Sequence, residues 1–143
     1  NLRISNPLAS AEEIEKALKL ADAWEDIRAM PDGLHTVINV QDQSILTTSL
    51  GAKLSLARAY LHQSNLVLID ELPGTLLSTK TGDNLKAYLK HIKGRRTVIM
   101  TSHRKDFMKL ADKVILLRGR DAPVCGTPDM ILKETDDDSG EAA

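Results

Sequence analysis

Apolar residues follow two different patterns along this sequence. Near the amino terminus Ile14, Leu18 and Ala21 recur at helical spacing, which is typical of a helix buried along one face. Later, Leu66–Ile69 is a short continuous apolar run, and residues 97–101 form a second, largely apolar run. Such runs are typical of parallel strands that are covered on both faces. The alternation of helical segments with these strands predicts an α/β fold with a mostly parallel sheet.

Capping and turn residues set the expected boundaries of the first elements. Residues 1–7 are expected to be extended chain. A helix is expected to begin at Ser10, because Ser10 and Glu13 match a capping box, in which each residue binds the backbone amide of the other. A second short helix is expected to stop at residues 31–33, which read Pro-Asp-Gly.

Two longer helices are expected on either side of the first strand. Residues 50–62 place Leu50, Leu54, Ala57 and Leu61 on one face. Residues 79–92 direct four side chains inward, and a glycine near the start weakens that helix. These are Leu85, Tyr88, Leu89 and Ile92, with the glycine at position 82.

The remaining residues predict a strand, a turn and a final helix. A short helix over 105–111 precedes a strand over 113–117, and residues 118–121 form a turn. The last helix has Thr127 as its cap and Pro128 at its first position. Cys125 is expected to be a small buried residue. The chain from Thr135 is expected to be disordered, because it is acidic and poor in apolar residues.

Two carboxylates follow the first strand directly, at Asp70 and Glu71. Open α/β sheets bind ligands at the carboxyl ends of their strands. Adjacent carboxylates at the end of an apolar strand are costly unless a cation meets them. A hydrated Mg²⁺ ion carrying phosphates meets this need. The plain alternative is a strand that ends at a solvent-exposed acidic pair.

The second strand leads to a histidine, His103, through Thr101 and Ser102. A lone histidine at the end of a strand is usually structural. Its position one helix beyond the strand that ends in Asp70 and Glu71 favours a functional role.

Taken together, these segments resemble the ATP-binding cassette (ABC) ATPases. The resemblance rests on a helix with Ala-Arg-Ala at 57–59, a strand ending in Asp-Glu, a further helix, and a strand ending in Ser-His. It implies that Asp70 and Glu71 are the Walker B pair and that His103 is the switch-loop residue. Residues 1–36, with Pro31 and Gly33 in an "LPxGxxT"-like phrase, are similar to the helical subdomain of exporter-type cassettes.

The sequence departs from this family in its signature segment. The family has Leu-Ser-Gly-Gly-Gln where this chain has residues 46–50, so Thr47 stands at the serine and Thr48 and Ser49 replace both glycines. Glycines let a helix amino terminus approach a phosphate closely. Side chains at both positions are therefore expected to impair the γ-phosphate contact, although their hydroxyls can still cap the helix.

A second departure lies after the Walker B pair. The family's D-loop ends in Leu-Asp, whereas this chain has Leu76 and Leu77. Leu77 is thus expected to replace an aspartate on the surface that would face a partner cassette.

Composition narrows the class of protein. Hydrophobic residues make up 42% and charged residues 27% of the chain, as in ordinary globular proteins. The formal net charge of -1 argues against a nucleic-acid binder driven by bulk charge. Residues 134–143 hold five acids and no base, so the rest of the chain carries +4, which suits a polyphosphate ligand. A single cysteine excludes an internal disulfide, and no apolar run approaches the roughly 20 residues of a membrane span.

The Walker A loop, the Q-loop glutamine and the aromatic A-loop of the family are absent from these residues and would precede Asn1. The resemblance therefore implies a partial P-loop ATPase: a helical subdomain and signature helix over 1–63, the carboxyl-terminal part of the core sheet over 64–133, and a disordered acidic tail over 134–143. We expect such a piece to expose apolar strand surface and to swap, self-associate or require its other half.

The function implied by the resemblance is ATP binding and hydrolysis coupled to export, on the cytoplasmic side of a membrane. The expected cofactors are ATP and Mg²⁺, with Asp70 holding the metal, Glu71 and His103 acting in catalysis, and residues 47–49 facing the nucleotide of a second cassette. The expected partners are that second nucleotide-binding domain and the transporter's transmembrane domains, with no nucleic acid. Three alternatives stay open: an impaired cassette that serves as a nucleotide-binding or regulatory scaffold, a DNA-repair cassette, and an unrelated binding module.

Overall fold

The computed structural model describes residues 1–37, 48–62, 64–119 and 121–138, and the side chains of all of these except Thr48 and 134–138. The chain divides into two compact units, Asn1–Met100 and Thr101–Ala143. This division differs from the sequence-based boundary at 63/64, because helices on both sides of that boundary pack together in the first unit.

The first unit contains five helices and a parallel pair of strands among its described residues. In chain order these are α1 (Ala11–Leu20), α2 (Trp24–Arg28), α3 (Thr48–Leu61), β1 (Leu66–Ile69), α4 (Gly74–Leu77), α5 (Lys80–Ile92) and β2 (Thr97–Met100). Two short 3₁₀ helices, Leu2–Ile4 and Gly33–His35, complete the described part of this unit.

Local hydrogen bonds explain how α1 begins. The Glu13 amide donates to Ser10 Oγ at 3.2 Å, and the Ser10 amide donates to Glu13 Oε2 at 2.8 Å, so the predicted capping box is confirmed. The expectation of extended chain over residues 1–7 is wrong at Leu2–Ile4. There the Ser5 hydroxyl and amide both donate to the Leu2 carbonyl and close a turn.

The core of the first unit lies where α1 packs against α3 and α5. The apolar faces predicted for these helices are buried, apart from Tyr88, which is half-buried. The buried side chains are Ile14, Ala17, Leu18, Leu50, Leu54, Leu56, Ala57, Leu61, Leu85, Leu89 and Ile92. The 3.6-residue period therefore identified the buried positions correctly.

Strands β1 and β2 pair in parallel with Leu66 opposite Thr97 and Ile69 opposite Met100. The predicted parallel pairing is confirmed, but the prediction that other residues cover both faces of these strands is wrong for the described part of the chain. Val67 and Ile69 are buried, whereas Leu68 is 68% exposed and Ile99 58% exposed. Side chains alternate between the faces of a strand, and the described part of the chain covers only one of these two faces.

The second unit contains α6 (Lys105–Met108), β3 (Val114–Leu116), β4 (Val124–Gly126) and α7 (Pro128–Asp138). Strands β3 and β4 are antiparallel, and α7 packs on them through the buried Ile131 and Leu132. The described strands thus form the predicted parallel sheet, β1–β2, and a separate antiparallel hairpin, β3–β4. The Met130 amide donates to Thr127 Oγ1 at 3.4 Å, as expected for the predicted cap.

Two expectations for the second unit differ from the structure. Cys125 is exposed, not buried, because it pairs with the exposed Ile115 on a face of the hairpin that the described residues leave open. Helix α7 runs to Asp138 and so includes residues from Thr135 onward that composition predicted to be disordered. Once a helix has nucleated, each added residue gains a hydrogen bond, so it can extend into an acidic sequence.

Candidate functional site

The acidic pair lies where the sequence placed it, at the carboxyl end of β1. Asp70 and Glu71 follow Ile69 directly, and both are exposed. Because β1 and β2 are parallel and Ile69 lies opposite Met100, the carboxyl ends of both strands share one edge of the sheet. That edge is where open α/β sheets bind their ligands.

The backbone at Glu71 is unusual. Its φ is +39°, in a region that residues other than glycine rarely adopt. Such strain persists only where the surrounding structure imposes it, and it is concentrated at functional sites. Two residues further on, Pro73 caps the start of α4 at Gly74.

The acidic pair fits a magnesium ion chemically. Mg²⁺ prefers hard oxygen donors and typically keeps several waters while binding one or two carboxylates. Asp70 and Glu71 provide two such carboxylates at an exposed edge. Among the residues that the structure describes, no group of three or more His, Cys, Asp and Glu side chains is arranged to hold a metal.

His103 follows β2 by three residues and belongs to the second unit, Thr101–Ala143. Its side chain is exposed. It precedes α6, whose N-cap residue Arg104 donates two hydrogen bonds of 3.0 Å to the Asp106 carboxylate. The local structure thus presents the imidazole on the surface of its own unit.

The signature segment is only partly described. Thr47 lies outside the described residues. Helix α3 begins at Thr48, and Ser49 is an exposed residue of its first turn. Leu50, which stands where the family has glutamine, is buried. Helix α3 thus begins within residues 46–50, the segment that aligns with the family signature.

Leu77 is not on the surface, contrary to the expectation for the D-loop position. It is 4% exposed and lies in α4 beside Leu76, which is equally buried. Burial of the Leu77 side chain stabilises the fold, whereas an aspartate is favoured at a solvent-exposed position. The position therefore contributes to the packing of α4 on α5 instead of facing outward.

Gly82 explains how α4 comes so close to α5, and the sequence had marked it only as a weak helix residue. A Cβ at this position would lie 2.0 Å from the Leu77 carbonyl oxygen. Only glycine allows two backbones to approach so closely. A glycine inside a helical pattern was the available signal for such contact.

No protein-family model matches the chain. It is 32% identical over 117 residues to the ATP-dependent lipid A-core flippase of Chromobacterium violaceum, which covers 82% of this chain and 20% of that protein. It is 29% identical over 135 residues to the multidrug resistance-like ATP-binding protein MdlA of Buchnera aphidicola, covering 94% and 23%. It is 26% identical over 132 residues to the cyclolysin secretion/processing ATP-binding protein CyaB of Bordetella pertussis, covering 92% and 18%.

The fold also matches part of a solved ABC exporter. A bacterial Atm1-family ABC exporter with ATP bound superposes with a TM-score of 0.78 at 22% identity, over 99% of this chain and 25% of the exporter. The chain therefore belongs to the family of ABC transporter ATP-binding domains, of the exporter type. It spans about a fifth of the length of the curated relatives it matches. The helices of the described residues do not include one with the length and hydropathy needed to cross a membrane.

Proposed function

We propose that this chain forms part of the ATP-hydrolysing domain of an ABC exporter. The observation that carries the proposal is the exposed Asp70 and Glu71 pair at the carboxyl end of β1, in a chain of this family. That edge of a parallel sheet is suited to a nucleotide and its metal ion. The transported cargo would be selected by membrane segments outside these residues.

Each proposed site residue has a distinct role. Asp70 would hold Mg²⁺, which when bound neutralises charge on the phosphates. Glu71 would orient the attacking water and accept its proton as general base. His103 would donate a hydrogen bond to the γ-phosphate and stabilise charge as the phosphoryl group is transferred.

We further propose that the chain works opposite a second, different cassette. Cassette sites are composite, with Walker motifs and histidine from one chain and the signature from the other. Thr48 and Ser49 replace the signature glycines here, while Asp70, Glu71 and His103 are present. This chain would therefore support hydrolysis against a partner with an intact signature, and the reciprocal site would be impaired.

The open sheet face supports a further part of the proposal. Leu66, Leu68 and Ile99 expose apolar side chains on one face of the β1–β2 pair. We propose that polypeptide carrying the Walker A loop, in the same cassette, covers this face. Covering large aliphatic side chains is favourable by about 1.5–3 kcal/mol each when burial is complete.

The test is Glu71→Gln in the complete transporter, with ATP turnover and ATP binding both measured. Loss of a general base should lower turnover by about 10² to 10⁴-fold, while ATP binding persists. Thr48→Gly is the matched variant in the signature segment, and it should change turnover little, since the site that it completes is the impaired one. Undiminished turnover in Glu71→Gln would refute the catalytic assignment.

A second candidate function is a cassette that binds nucleotide without hydrolysing it and serves as a scaffold. Residues 47–50 and the buried Leu77 favour it, because the chain lacks the signature glycines and the D-loop aspartate that would complete a neighbouring site. The same measurements separate the two functions. A scaffold would bind ATP, show no turnover dependent on Glu71, and support transport through the partner's site alone.

A further inference from the structure

Asp22 occupies the corner between α1 and α2 in a left-handed conformation, with φ of +58°. The Ala23 amide donates to the Leu18 carbonyl at 2.8 Å, and the Asp22 amide donates to the Lys19 carbonyl at 3.1 Å. This pair of bonds is the Schellman arrangement, in which glycine is the usual left-handed residue. An aspartate here accepts backbone strain that a glycine would avoid, which suggests that its carboxylate is needed.

The carboxylate of Asp22 contacts two other helices. Lys53 of α3 places its Nζ 3.5 Å from Asp22 Oδ2. From α5, Thr81 donates its hydroxyl to Oδ2 at 3.4 Å, and Lys80 places its Nζ 3.8 Å from Oδ1. One side chain therefore links the α1–α2 corner to the helix of the signature segment and to the first turn of α5.

These contacts are shielded from solvent to different degrees. Thr81 is completely buried, and the side chain of Lys53 is only 16% exposed. Lys53 also pairs with Asp26 of α2 at 3.2 Å. Partly buried charges are screened by solvent and salt less than surface pairs are. Because Asp22, Asp26 and Lys53 share partners in one network, changing one contact is expected to alter the others.

The same turn of α5 also touches the segment that follows the acidic pair. Gly82, next to Thr81, packs against the Leu77 backbone so closely that it excludes a Cβ. The Asn84 amide group, one turn further on, donates to the Leu20 carbonyl at 2.9 Å. The start of α5 thus contacts α4 on one side and the end of α1 on the other.

We infer that Asp22 is a positioning residue that couples α3 to the segment 72–79 after Glu71, through the first turn of α5. The inference rests on the proposed function for its catalytic consequence, but the coupling itself does not require hydrolysis. With Asp22 in place, a shift of α3 is transmitted to α4, which follows directly on the proposed general base. Without its carboxylate, α3 and the first turn of α5 lose the polar contact that they share through Asp22.

The experiment is amide hydrogen exchange of the complete transporter without nucleotide, together with kcat and KM for ATP. Asp22→Gly keeps the left-handed backbone and removes the carboxylate. It should raise exchange of the amides in residues 76–82 by about five- to tenfold and lower kcat by a similar factor with KM unchanged. Asp22→Asn keeps an acceptor for Thr81 and should show an intermediate effect.

Two further variants keep the test decisive. Thr81→Val removes the buried hydroxyl at nearly constant volume and should reproduce the exchange pattern of Asp22→Gly. Asp32→Asn is the control, because Asp32 makes no side-chain cap hydrogen bond at its own 3₁₀ helix. Increased exchange confined to residues 18–24, or spread evenly through α1, would overturn the inference. Hydrogen exchange is measured without nucleotide, so a failure of this inference does not depend on ATP hydrolysis. The proposed function fails by a different result, namely undiminished ATP turnover in Glu71→Gln.

Discussion

The helices and the parallel strands of the first unit differ in how completely they bury their apolar side chains. In the helical layer, Leu18 is fully buried and Leu85 is 1% exposed. In the β1–β2 pair, Val67 and Ile69 are buried while their neighbours Leu66 and Leu68 are 46% and 68% exposed. The sequence of the strands is nonetheless at least as apolar as that of the helices.

The difference follows from the geometry of the two elements. A helix has one apolar stripe, and a second helix is enough to cover it. A strand with apolar residues at every position has two apolar faces and needs a layer on each. The described residues supply one such layer. The apolar stripes of the helices are therefore covered within the chain, whereas one face of the β1–β2 pair is not.

The largest expected effect tests this comparison directly, with Leu18→Ala against Leu68→Ala. Leu18→Ala should lower the free energy of unfolding by about 3 kcal/mol, since it removes buried methyl groups and leaves a cavity. Leu68→Ala should change it by less than about 0.5 kcal/mol, because that side chain is already in solvent. Urea unfolding followed by circular dichroism measures both. Equal losses would mean that the β1–β2 face is covered in solution.

A smaller effect is expected from alanine at two helical glycines. Gly82→Ala should destabilise the fold by about 2 kcal/mol, because its Cβ would clash with the Leu77 carbonyl and force α4 away from α5. Gly51→Ala in α3, which has nothing within 4 Å of the new Cβ, should stabilise it by about 0.5–1 kcal/mol through helix propensity. The same urea titration should give opposite signs. A stabilising Gly82→Ala would show that α4 is not held against α5.

The smallest effect concerns a polar atom within the helical layer. The rings of Tyr60 and Tyr88 contact each other with centroids 4.5 Å apart and planes tilted by 58°, and the Tyr60 hydroxyl has no hydrogen-bond partner among the described residues. Tyr60→Phe should therefore be neutral or stabilise the fold by up to about 1 kcal/mol. Tyr88→Phe should cost a few tenths of a kcal/mol at most, because its hydroxyl accepts a long 3.4 Å bond from Arg96.

The pH dependence sharpens the same prediction. Burial, assisted by the nearby Tyr88, raises the pKa of the Tyr60 phenol above its ordinary value. A raised pKa in the folded state means that stability is intact below the unfolded pKa of about 10 and is lost as the pH rises beyond it. The wild-type chain should lose stability more steeply than Tyr60→Phe above that pH. Identical alkaline profiles would argue against burial of the phenol.

Most of the local structure was predictable because its causes are short in sequence. The capping box at Ser10 and Glu13, the Thr127 cap and the apolar faces of α3 and α5 depend on neighbours within one or two turns. The acidic pair at 70–71 could be placed at a strand end for the same reason. What it binds and how it acts were supplied by family resemblance.

The features that sequence reasoning missed depend on partners far away in the chain. Leu77 is buried because α5 packs over it. Asp22 contacts Lys53 in α3 and Thr81 in α5, which follow it in the sequence by 31 and 59 positions. Cys125 is exposed because one face of its hairpin has no covering layer among the described residues. No local pattern carries this information.

By itself, the sequence determined where the longer helices α1, α3 and α5 and the strands β1, β2 and β3 lie, and which side chains are apolar enough to need cover. Capping and periodicity act between neighbours, so they are written in the sequence. Only the tertiary structure decided which of those side chains receive cover, and that Asp22, Thr81 and Gly82 join three helices at one point. Which side chains are buried, and which backbones approach closely, depends on which helices and strands pack against each other, and that is a property of the whole fold.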